Sequence, residues 1–140
     1  MATFDSAVYT AQTKYPLQRA DQSNIQAKVF VARGSYDGDQ TIAQNDKVNM
    51  FVLPAKARPV YWVIENEAFG SSVTVDIGTD SDADYWVAGE GVATAGQAAP
   101  TPINSHVGVN DETAVVLSFG GANPTDTAKI WVTCVYAIDW

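Results

Sequence analysis

The sequence predicts an all-β protein: a single antiparallel β-sandwich or jelly-roll-like domain over residues 27–140, with an extended N-terminal arm over residues 1–26. Three observations lead there. From Lys28 onward the apolar residues recur with a period of two, in runs of four to eight residues rich in β-branched and aromatic types. Gly and Pro punctuate the runs, at Gly34, Gly38, Pro54, Pro59, Gly70, Gly78, Gly120, Gly121 and Pro124. No stretch carries the stripe of an amphipathic helix, and 140 residues make one ordinary domain.

Taken in order, KVFVARG places Val29 and Val31 on one side and Phe30 and Ala32 on the other. GDQTI reads as a turn and a short strand. KVNMFVLP, RPVYWVIEN and SVTVDIG follow as strands, then TAVVLSFGG and AKIWVTCVYAIDW, for seven or eight in all. In the last run Ile130, Val132, Cys134, Tyr136 and Ile138 share one face, and Trp131, Thr133, Val135, Ala137 and Asp139 the other. Both faces are largely apolar, which predicts a central strand covered on both sides. WVAGEGVATAGQAAPTPINS, residues 86–105, reads as a long loop with a short strand or turn at Val92, and loops of that length usually serve function or contact.

Residues 1–26 lack periodicity but carry Phe4, Val8, Tyr9, Tyr15 and Leu17, too many apolar side chains for a free tail. Either they pack within the domain or they form an arm ordered against a neighbour. Their irregular spacing favours the arm, with these residues as contacts.

Composition narrows the function. Hydrophobic residues make up 46% and charged ones 17%, which predicts an ordered domain. A net charge of −8, with no cluster of Lys or Arg, speaks against nucleic acid as a partner. No apolar run reaches the roughly 18–20 residues of a membrane span, and no signal peptide is evident, so a soluble protein made in a cytoplasm is expected. The one cysteine, Cys134, excludes an internal disulfide and lies in an apolar run, where a buried thiol is the simpler reading than a nucleophile.

The most provocative stretch is DSDAD, with carboxylates at Asp80, Asp82 and Asp84. It starts like an EF-hand calcium loop, but Tyr85 stands where the turn glycine belongs and Gly91 where the bidentate Glu belongs. A solvated turn is the better reading, so neither metal nor cofactor is expected. An acid pair for glycoside hydrolysis has nothing to mark one member as buried and protonated. The lone histidine, His106, has no nucleophile elbow to serve. No catalytic residue is assigned. Trp62 and Trp131 lie in apolar strands and read as core, whereas Tyr85 and Trp86 serve either as exposed platforms or as a plug at one end of the sandwich. As platforms they would suit a sugar or a protein partner.

One segment resembles a known family. MFVLPAKARPVYWVIENEAFGSSVTVDIGTDSDADYWVAGEGVATAG, about a third of the chain, is similar to small structural proteins of tailed bacteriophages, in which an "LPAGAR"-like turn precedes "SVTVDIGT", an Asp-rich turn, an aromatic pair and "VATAG". Lys56 stands where that turn commonly has glycine. The resemblance implies a capsid decoration (cement) protein or another accessory virion protein, with no catalytic meaning. The implied partners are the major capsid protein and further copies of itself, as a homotrimer on the capsid surface. Tyr85, Trp86 and Trp140 join the arm residues as expected contacts. A tail or fibre adaptor and a carbohydrate-binding sandwich are the alternatives.

Overall fold

The computed structural model describes residues 29–38, 42–125 and 127–138. The expected arm, with Phe4, Val8, Tyr9, Tyr15 and Leu17, and the terminal Trp140 lie outside those residues.

The described residues form eight strands: β1 (Val29–Tyr36), β2 (Lys47–Leu53), β3 (Ala57–Asn66), β4 (Thr74–Gly78), β5 (Val87–Gly91), β6 (Gly96–Ala98), β7 (Thr113–Gly120) and β8 (Ile130–Ile138). They make two four-stranded sheets, ordered β1-β8-β3-β6 and β2-β7-β4-β5. Every pairing is antiparallel. The pairs β4–β5, β3–β6, β2–β7 and β1–β8 are those of one long hairpin rolled over itself, which is a jelly roll.

The alternation read from the sequence places the core. Val75 and Ile77 of β4, Val115, Leu117 and Phe119 of β7, Trp62 and Ile64 of β3, and Ile130, Val132 and Cys134 of β8 all turn inward and are buried. Each large side chain so buried contributes roughly 1.5–3 kcal/mol. Burial also pushes the Cys134 thiol up to about 12, so it stays protonated and unreactive.

Local chemistry fixes the corners. β1 and β2, edge strands of opposite sheets, come together at Gly34, where a Cβ would lie 2.4 Å from the Met50 carbonyl oxygen. Pro59 interrupts β3 where its register on β8 shifts, between Pro59 and Tyr61, so the missing N–H falls at a bulge. The turn into β3 is closed by Ala57 N–H donating to the Pro54 carbonyl at 3.2 Å. Its third residue is Lys56, at a φ of 69°.

Of the turn and short strand expected in GDQTI, residues 39–41 lie outside the described residues, and Ile42 at its end is buried. Two expectations need correction. The stretch 86–105 is no simple loop, since it contains β5 and β6. β8 is central in its sheet, yet among the described residues only one of its faces is sealed: Trp131, Thr133 and Val135 remain half-exposed.

Candidate functional site

The two outer surfaces of the sandwich differ in chemistry. On the β2-β7-β4-β5 side, Asp76 pairs with Ser118, which pairs with Lys47, and Gly78 pairs with Val116. The turn between β4 and β5 doubles back over this surface, because Gly78 lets the Asp82 carbonyl and Ala83 lie against it, where a Cβ would meet Asp82 O at 2.1 Å. Within the turn Thr79 N–H donates to the Asp82 carbonyl at 2.8 Å, Asp82 N–H to Thr79 Oγ1 at 3.1 Å, and Tyr85 N–H to the Asp82 carbonyl at 3.3 Å. Lys47 Nζ reaches across to the Asp80 carbonyl at 3.4 Å. Asp80, Asp82 and Asp84 all project into solvent. A hydrogen bond with Asp84, then partial loss of hydration, then the Asp84 charge, raise the Asp82 carboxyl above its ordinary range. Among the described residues, no three His, Cys, Asp or Glu side chains gather as a metal would require. A cleft of about 450 Å³ separates this turn from residues 107–113, lined by Asp82, Tyr85, Asp111 and Thr113 among others.

The opposite surface is apolar. Residues directly opposite in an antiparallel pair point to the same side, so the registers of β1, β8 and β3 define rows across the sheet. Val31, Val135 and Tyr61 form one row, Arg33, Thr133 and Val63 the next, and Ser35, Trp131 and Glu65 the third. Val29, Ala137 and Arg58 form the row at its end. Val29, Val31 and Tyr61 are 58%, 65% and 47% exposed, with Val135, Val63 and Trp131 half-buried between them. The charged pair at its margin, Arg33 Nη2 to Glu65 Oε1 at 3.6 Å, is mutually neutralising. Exposed apolar side chains grouped on one sheet surface make it a candidate interaction site.

Of the contacts expected from the sequence within the described residues, Trp86 is corrected: it is fully buried, so its side chain presents nothing to a partner. It plugs the core against Trp62, which is likewise buried and no sugar platform. Tyr85 is half-buried, edge-on to Trp86 at 5.2 Å, with one side on the cleft. Trp131, read as core, lies instead on the outer apolar surface. Sequence reading missed that surface although its signal was present: β8 is apolar on both faces, and the second face was assigned a cover.

No protein-family model matches the chain, and no curated protein matches it. Solved structures do. A chain of the cyanophage Pam1 capsid is similar at a TM-score of 0.69 and 20% identity, over 99% of this chain and 100% of that one. A chain of the capsid of Ralstonia phage GP4 gives a TM-score of 0.70 at 16% identity, over 81% of this chain and 86% of that one. A chain of the acid-stable capsid of Helicobacter pylori bacteriophage KHP30 gives 0.59 at 16%, over 79% and 87%. The shared property is the fold. It is a jelly roll found in phage capsids.

Proposed function

We propose that this chain is a non-enzymatic virion protein, a decoration (cement) protein that sits on the outside of a phage head and strengthens contacts between major capsid protein subunits. The observation that carries this reading is the end-to-end likeness to a chain of a phage capsid, joined to a sheet surface on which Val29, Val31 and Tyr61 stand exposed. Jelly rolls serve both capsids and sugar-binding modules, but the burial of Trp62 and Trp86 removes two of the aromatic platforms a sugar would stack on.

In this reading the protein acts as a homotrimer, the closed symmetric form suited to a local three-fold position, and residues 1–26 form an arm laid on the shell or on a neighbouring copy. Tyr85 and Trp140 remain as secondary contacts. The test is co-sedimentation of the purified protein with empty capsids. Saturable pelleting with capsids, and none without them, is the expected result, with a truncation of residues 1–26 keeping its β-sheet spectrum and losing most of the binding. A protein that stays in the supernatant at every capsid concentration overturns the reading.

A further inference from the structure

We infer that the apolar outer surface of β1, β8 and β3 is the acceptor for residues 1–26 of a second copy of this chain. The inference deepens the assembly part of the reading above by naming the acceptor, and it concerns the free protein, so capsids are not needed to test it.

The surface and its occupant are adjacent in sequence. Val29 is both the first residue of β1 and an exposed member of the patch, and the chain before it supplies Phe4, Val8, Tyr9, Tyr15 and Leu17. β1 is also an edge strand of its sheet, met by β2 at Gly34, and strand addition at a sheet edge is a recurring mode of recognition. Charge agrees with this occupant. The rest of the protein is strongly acidic, but Phe4 to Leu17 holds one Asp and one Lys, and the patch holds the Arg33–Glu65 ion pair and, in its end row, Arg58, which has a partner of its own. Two near-neutral apolar surfaces meet without burying an unpaired charge.

Length and pattern favour a second copy over the same chain. The stretch from Gln18 to Lys28, QRADQSNIQAK, is polar apart from Ile25 and small Ala residues. Extended, its eleven residues span about 36 Å. From Val29 to the row of Ser35 and Trp131 the patch runs about 20 Å. The polar stretch thus leads past the chain's own patch before the first anchor, Leu17, is reached. A polar spacer followed by apolar anchors suits a reach to another body. Reciprocal exchange also buries every copy's patch in a closed ring.

The experiment places a photoreactive residue in the acceptor of the full chain, as Val31→p-benzoylphenylalanine and separately Tyr61→p-benzoylphenylalanine. Light and ¹⁵N-labelled proteins are mixed by unfolding and refolding together, irradiated and digested. Cross-linked peptides joining position 31 or 61 to residues 1–26 of the opposite isotope are the expected result. Links only within one isotope, links only to the sheet surface of another copy, or no link to residues 1–26 overturn the inference. As a second measurement, Val31→Asp with Tyr61→Ser in the full chain should reduce the mass by light scattering to that of a monomer, matching the deletion of residues 1–26. An oligomer that survives the double substitution with an unchanged β-sheet spectrum also overturns it.

Discussion

The indole rings of Trp62 and Trp86 lie 5.4 Å apart, centroid to centroid, at an angle of 36°. Trp62 comes from the middle of β3, and Trp86 enters just before β5 in the opposite sheet. The pair therefore ties one sheet to the other, and Phe51 of β2 stacks on the far side of Trp62 at 6.4 Å. Both indole nitrogens are buried without an acceptor among the described residues, so here the rings act by packing.

That orphaned N–H separates two substitutions. Trp86→Ala should cost about 3–5 kcal/mol through the cavity it leaves. Trp86→Phe keeps a ring against Trp62 and removes an unpartnered donor, so the loss should be about 1–2 kcal/mol. Urea unfolding followed by circular dichroism distinguishes them; equal losses would show that the N–H is bonded in solution.

Lys56 occupies a turn position with φ at 69°, a conformation that costs a residue with a Cβ about 1–2 kcal/mol. Lys56→Gly relieves that strain but gains flexibility when unfolded. The net should be a gain of up to about 1 kcal/mol, seen as a rise in Tm of about 3–5 °C. A fall in Tm would mean that the Lys56 side chain makes a contact worth more than its backbone strain.

Gly34 is required for space rather than for φ. A methyl group there would press on the Met50 carbonyl 2.4 Å away, forcing β1 and β2 apart. Gly34→Ala should lower stability by about 1–3 kcal/mol. Increased hydrogen exchange at β1 and β2, with β4 unaffected, would place the damage at that corner.

The pH dependence of the acidic turn follows from Asp82. Its folded carboxyl titrates above the ordinary value because protonated Asp82 bonds to Asp84. A raised folded value means the pair favours the folded state at low pH, and that this contribution is lost as pH rises through the folded value. Asp84→Asn removes both the shared proton and the like charge, so the Asp82 midpoint should move down in a carboxyl-carbon NMR titration. An unmoved midpoint would show that loss of hydration alone sets it.

Because backbone and hydroxyl hydrogen bonds close that turn from within, a chelator should leave Tm unchanged. A drop of more than about 5 °C would reassign the carboxylates to a cation.

The long alternating runs were legible because β-branched and aromatic residues state both the strand and its buried face, as KVNMFVL and TVDIG do. β5 and β6 were not, since VAGEG and GQA have almost no side chains with which to state a preference. Those segments are strands through their register on β4 and β3, which is information held by other parts of the chain. Trp86 misled for a related reason: local sequence surrounds it with acids and glycines, and only the roll brings Trp62 to it. The apolar outer surface was legible as residues but not as a surface, because two-sided apolarity does not say what covers the second side.

The position of β8 has a consequence for synthesis. β8 follows the seven other described strands in the chain yet is an inner strand of its sheet, and Val29 finds its partner Ala137 only roughly a hundred positions later. Until residues 130–138 emerge, β1 and β3 have no neighbour in common, and the apolar runs of the nascent chain must wait in an open state. A message cut short before Ile130 would yield a chain unable to join β1 to β3, so only copies that include residues 130–138 can form the sheet surface shared by β1, β8 and β3.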